Sequence, residues 1–131
     1  MEPRAPRTRH TALDVLLVDD DRDIRETIEQ ILEEEGYGVA TAADGELALQ
    51  HLAVGPLPRL ILLDLVMPVM DGRAFLAQFK RLPRLAQIPV VIISSGHDAR
   101  QEAATLGTAG YLAKPIELHL LLENVQRWVT R

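Results

Sequence analysis

The chain has 131 residues, 47% of them apolar, which suits one domain with a real core and is too short for two ordinary ones. Its formal net charge is -5; residues 1–10 carry +2 (Arg4, Arg7 and Arg9 against Glu2) and the rest -7, so the acidic body is expected to repel a phosphate backbone and not to bind nucleic acid directly. With no cysteine, no apolar run of membrane-spanning length and no secretory-signal core, disulfide and thiolate-metal frameworks are excluded, and a soluble, cytoplasmic protein without membrane contact is expected.

Residues 1–12 contain two prolines, three arginines and no apolar periodicity, and read as a disordered basic tail ahead of a single domain over 13–131. Asp14 to Val18 is a short buried strand that ends on Asp19-Asp20-Asp21. Ile24, Ile28, Ile31 and Leu32 then recur at helical spacing, with Asp21 near the helix start, Gly36 as its stop, and Arg22, Arg25 and the glutamates on a wet face. Val39 to Ala42 is a weaker strand, suited to a sheet edge. Asp44-Gly45 turns the chain into a helix carrying Leu47, Ala48, Leu49 and Leu52.

Leu60 to Leu63 shows no polar alternation, as expected of a strand covered on both faces, and stops on Asp64. Pro68 and Asp71-Gly72 end it and open a helix with Phe75, Leu76 and Phe79 buried. Pro89 to Ile93 is a fourth buried run, ending in Ser94-Ser95-Gly96. The segment from Asp98 to Leu106 is Ala-rich and otherwise polar, predicting a short, loosely held helix. Gly110 to Ala113 is the last strand and ends in Lys114-Pro115. From Ile116 a closing helix, with Leu118, Leu121, Leu122, Val125, Trp128 and Val129 on its buried face, is expected to run to the chain end.

Five strand-helix pairs in strict alternation imply an α/β doubly wound, five-stranded parallel sheet with right-handed crossovers, of the flavodoxin-like kind. The order 2-1-3-4-5 follows because the first, third and fourth strands are the most apolar. Parallel strands bring Asp19, Asp20, Asp64, Ser94 and Lys114 to one rim. Crowded carboxylates repel unless a proton or a cation intervenes. A hard divalent ion such as Mg²⁺ suits oxygen ligands, and no His or Cys at these strand ends argues for Zn²⁺. A carboxylate beside Mg²⁺ and a lysine can attack a phosphoryl group, which casts Asp64 as nucleophile, with Ser94 and Lys114 donating to phosphoryl oxygens. Taken singly, Asp64 and Ser94 read equally as turn formers, Lys114 as a surface charge and Tyr111 as cover for the core. His10, His51, His97 and His119 share no metal-ligand spacing and read as surface residues.

Val-Asp-Asp-Asp at 18–21, Leu-Leu-Asp-Leu-Val-Met-Pro-Val-Met-Asp-Gly at 62–72, Ser94 and Gly-Tyr-Leu-Ala-Lys-Pro at 110–115 resemble the receiver domains of bacterial two-component response regulators, the CheY-like superfamily, over roughly residues 13 to 130. The resemblance implies that Asp64 is the phospho-acceptor, served by a sensor histidine kinase or phosphotransfer protein. It implies Mg²⁺ held by Asp19, Asp20, Asp64 and the backbone carbonyl of Val66, a switch hydroxyl at Ser94 and a switch aromatic at Tyr111. Lys114 would bind the phosphoryl group, the Lys114-Pro115 bond would be cis, and a downstream protein would meet the face of the fourth helix, fifth strand and fifth helix. A monomer or weak dimer, catalysing only its own phosphorylation and dephosphorylation, is expected. The chain departs from the family pattern in Ser94 where threonine is commoner, Ser95 where alanine is commoner, and a shortened stretch from Ser94 to Tyr111. Val66 cannot orient a hydrolytic water, so slow phosphoryl loss is expected. Three rivals remain: a Mg²⁺-dependent phosphohydrolase with an aspartate nucleophile, which generally carries a second acid where Val66 stands; the receiver fragment of a larger regulator or hybrid kinase; and a non-phosphorylated scaffold.

Overall fold

The computed structural model describes residues 13–129; residues 1–12, read above as a basic tail, and 130–131 lie outside them. Strands β1 (Val15–Val18), β2 (Val39–Ala42), β3 (Leu60–Asp64), β4 (Val90–Ser94) and β5 (Gly110–Ala113) alternate with helices α1 (Arg22–Glu34), α2 (Gly45–Val54), α3 (Gly72–Phe79), α4 (Ala99–Leu106) and α5 (Leu118–Trp128). All strand pairs are parallel and the order is β2-β1-β3-β4-β5, as the apolar ranking of the strands predicts.

Strand periodicity divides the core in two. Leu16, Val18, Ile61, Leu63, Val90 and Ile92 face α2, α3 and α4, where Leu52, Phe75 and Phe79 meet them. Val15, Leu17, Leu60, Leu62, Val91 and Ile93 face α1 and α5, against Ile28, Leu32, Leu121 and Val125. This explains why β1, β3 and β4 are apolar at every position: each side chain is buried on one face or the other.

Aspartates open three of the helices. Asp21 accepts from the amides of Asp23 and Ile24, Asp44 from Leu47 and Asp71 from Ala74, each satisfying N–H groups that a helix start leaves unpaired. Gly36, at φ 94, follows α1 as expected of a helix stop. Asp98 makes no such cap on α4, which is short, as expected, but is not loosely held: it buries Ala99 and Ala103 and lies against both β4 and β5.

Several local expectations change. The closing helix begins at Leu118 and ends at Trp128, with Leu118 exposed, because Ile116 and Glu117 still belong to the turn after the Lys114-Pro115 bond, which is cis. Leu47 is exposed, whereas Ala48 and Leu52 carry the packing of α2. His51 is half-buried, with its Nε2 enclosed and unbonded among the described residues. Trp128 packs partly against the α1–α5 core. Arg25, expected on the wet face, is half-buried and donates through Nη1 to the Asp19 carbonyl at 2.8 Å.

The link from β3 to α3 is tightly held. The Gly72 amide donates to the Leu65 carbonyl at 3.0 Å, and the Gly45 amide, starting α2, donates to the Met70 carbonyl at 3.0 Å. A Cβ at Gly72 would lie 2.7 Å from the Asp64 carbonyl oxygen and 2.8 Å from Leu65 Cα, both backbone atoms that cannot yield. Between these anchors the Met70 amide closes on the Pro68 carbonyl at 2.7 Å, and Val69 sits at φ 64, a left-handed conformation that β-branched residues resist. In urea denaturation, Val69→Asn is expected to stabilise the protein by about 1 kcal/mol, since Asn tolerates this conformation. Gly72→Ala is expected to destabilise it by about 1–3 kcal/mol, the usual cost of forcing atoms into filled space.

Candidate functional site

Sheet register builds the site. Val18 pairs with Leu63, so the next residues along, Asp19 and Asp64, emerge side by side at the carboxyl ends of β1 and β3. Asp64 pairs with Ile93, and Ser94 with Ala113, which brings Ser94 and then Lys114 to the same rim from β4 and β5. The rim is where the two crossover directions diverge, the usual place for a ligand in an open parallel sheet.

Asp19, Asp20 and Asp64 each present a carboxylate oxygen within 4.8 Å of the others. Asp19 and Asp64 are buried and Asp20 is exposed. Lys114 Nζ reaches the nearly enclosed Asp64 Oδ2 at 3.2 Å, and the Val66 amide donates to Asp64 Oδ1 at 3.1 Å. Asp19 Oδ1 accepts the Asp21 amide at 2.9 Å, but its Oδ2 is buried with no hydrogen-bond partner among the described residues. A buried carboxylate oxygen left without a donor is costly. A hard divalent cation beside Asp20 and Asp64 would satisfy it and offset the repulsion, so the residues present fit such an ion.

The electrostatics agree. Burial pushes the Asp19 carboxyl from its ordinary 3.8 to about 6; the Asp21 amide pulls it down, the Asp64 charge raises it further, Lys114 lowers it and Asp20 raises it.

Of the residues predicted from sequence, Asp19, Asp20, Asp64 and Lys114 come together. Val66 is adjacent through its backbone, with its side chain turned out to solvent (74% exposed). Tyr111 stands on the edge strand β5, 42% exposed and facing outward. Ser94 is buried at the rim, but its hydroxyl donates to Glu102 Oε1 at 2.6 Å and accepts the Gly96 amide at 3.1 Å, so both partners lie on the α4 side. Sequence reading missed Glu102 because α4 was taken as a loose helix of wet charges. The usable signal was its spacing: Glu102 follows Ala99 by three residues and precedes Ala103 by one, on the side of α4 that faces the sheet. Arg73, on α3, grips the other Glu102 oxygen at 2.7 Å.

The raised Asp19 value carries a sign. The folded state keeps its proton to higher pH than the unfolded chain, so the stability this residue contributes is fully present below about pH 3.8 and lost as pH rises through about 6. With divalent cations chelated, Asp19→Asn is therefore expected to overtake the wild type between those limits and to exceed it at pH 7 by on the order of 2 kcal/mol in urea denaturation.

Comparison with known proteins closes the identification. The sequence model of the family described as response regulator receiver domain matches residues 15–126. The response regulator PleD of Caulobacter vibrioides is 38% identical over 114 residues, 86% of this chain but only 25% of PleD. The chemotaxis protein CheY of Treponema pallidum is 33% identical over 113 residues, 85% of this chain and 78% of that protein. Among solved structures, the receiver domain of the sensor histidine kinase PA1611 of Pseudomonas aeruginosa, with a magnesium ion coordinated in its active-site cleft, aligns with a TM-score of 0.80 at 28% identity, covering 90% of this chain and 98% of that one. With this sheet order, this acidic rim and this match along most of its length, the chain belongs to the response regulator receiver domain family of two-component signalling.

Proposed function

We propose that residues 13–131 form a phosphorylation-activated signalling switch that accepts a phosphoryl group on Asp64. The observation that carries this reading is the pairing of the enclosed Asp64 Oδ2 with Lys114 Nζ at 3.2 Å, inside a cluster of three carboxylates whose buried Asp19 Oδ2 lacks a donor. Family membership supports a sensor histidine kinase or phosphotransfer protein as the donor, and a downstream protein as the receiver of the signal.

In the proposed reaction an Asp64 carboxylate oxygen attacks the phosphorus of a phosphohistidine. The O–P bond forms as the N–P bond breaks, and the histidine nitrogen leaves with its electron pair. When bound by Asp19, Asp20, Asp64 and the Val66 carbonyl, Mg²⁺ supplies charge neutralisation for the transferring group. Lys114 moves from Asp64 Oδ2 onto a phosphoryl oxygen, and Ser94 donates its hydroxyl to another. The Val66 amide, already on Asp64 Oδ1, orients the nucleophile. Tyr111 then turns inward from its exposed position. This alters the face of α4, β5 and α5, on which Tyr111 and Leu120 already expose apolar surface.

Incubation with Mg²⁺ and acetyl phosphate is expected to add the mass of one phosphoryl group to the intact protein, and to add nothing to Asp64→Asn. Sustained turnover of a small phosphoester instead would favour the phosphohydrolase. Because the exposed apolar side chain of Val66 offers no hydrogen bond to an attacking water, the phosphorylated form is expected to be long-lived. Val66→Asn is expected to lose phosphate faster, on the order of tenfold, by phosphate-release kinetics.

A further inference from the structure

Ser94 has one hydroxyl hydrogen, and it is committed. The donated bond to Glu102 Oε1, at 2.6 Å, has the length of a charge-assisted O–H···O⁻ contact, and Ser94 itself is buried. Glu102 divides its two oxygens: Oε1 takes the Ser94 hydroxyl and Oε2 takes Arg73 Nη2, so one carboxylate bridges the end of β4 to the first turn of α3. The Ser94 hydroxyl is the main influence holding the Glu102 carboxyl below its usual value, with Arg73 adding to it against the cost of burial. A second tie joins the same two helices, since Lys80, just past the end of α3, donates through Nζ to the Leu106 carbonyl at the end of α4. Ala99 and Ala103 are buried where α4 lies against β4 and β5, and Asp98 makes no side-chain cap, so the bond from Glu102 to Ser94 is a polar tie between α4 and the rim alongside that packing.

We propose that Glu102 is a positioning residue for Ser94: it competes with the phosphoryl group for the single Ser94 hydrogen, and its release on phosphorylation carries the change through Arg73 into α3 as well as α4. This rests on the reading of Asp64 as phospho-acceptor. A serine hydroxyl cannot donate to both acceptors, so capture of a phosphoryl oxygen requires the Glu102 bond to break. Glu102 then keeps only Arg73, a half-exposed partner whose side chain is 50% accessible, and α4 loses its link to the rim.

The test is titration with beryllofluoride, a phosphoryl mimic, in the presence of Mg²⁺, by calorimetry on the wild type, Glu102→Gln, Ser94→Ala and the double variant. Removing a charged competitor is expected to make Glu102→Gln bind about tenfold tighter than the wild type, and Glu102→Ala to shift in the same direction. In the Ser94→Ala background the same substitution is expected to change nothing, which a merely structural role for Glu102 would not produce. The Arg73 side-chain N–H resonance is expected to shift on saturation in the wild type and to stay in place in Ser94→Ala. Equal affinities for wild type and Glu102→Gln, or equal gains in both backgrounds, overturn the competition, and equal Arg73 shifts overturn the transmission. If the wild type neither binds beryllofluoride nor forms an Asp64 adduct with acetyl phosphate, the phospho-acceptor reading fails and takes this proposal with it. An adduct together with unchanged affinities removes the role of Glu102 alone.

Discussion

Carboxylates gathered at one end of a parallel sheet repel each other, and that repulsion is the constraint around which the rest of the molecule is arranged. Asp19, Asp20 and Asp64 lie within 4.8 Å of one another, and Lys114 is the cation bonded into the group among the described residues. Most of the fold serves to hold these groups where they would not otherwise stay. The fully buried β1, β3 and β4 set the register, Arg25 ties down the Asp19 carbonyl, and the Asp21 amide anchors one Asp19 oxygen while the other lacks a donor. Stability spent on crowding like charges is a common signature of a site that binds or reacts. Here it explains why an acidic cluster is attached to the best-packed strands rather than to a loop.

The fold was legible in the sequence because its signals are local and redundant. Short unbroken apolar runs in β1, β3 and β4, bounded by turn residues, suit strands covered on both sides, and the weaker runs at Val39–Ala42 and Gly110–Ala113 take the edges. Aspartates at positions 21, 44 and 71 mark helix starts through a short-range hydrogen bond, so their meaning needs no tertiary context. The acidic rim was legible for a similar reason: strand parity and parallel pairing carry residues that end different strands to the same edge.

What the sequence did not disclose depends on side-chain direction over long separations. Arg25 looks like one more charge on a wet helix face, yet its length lets it fold back over the end of β1. Glu102 and Arg73 are 29 residues apart, and neither belongs to a motif, so their meeting follows only from where α4 docks. The outward position of Tyr111 is likewise unreadable from spacing, because an edge-strand residue has room to face either way. Such contacts are set by packing between elements, while patterning constrains only the elements themselves.

The pinned link between β3 and α3 bears on how the molecule can move. Gly72 lies against the backbone of Asp64 and Leu65, and Gly45 against Met70, with no room for even a methyl group. That side of the rim is therefore a stiff wall of backbone, whereas on the other side Ser94 and Glu102 are joined to their partners by side-chain bonds that can exchange. A local disturbance at residue 64 thus meets unyielding backbone on one side and exchangeable side-chain bonds on the other, and those bonds lead to α4 and to Arg73 alike.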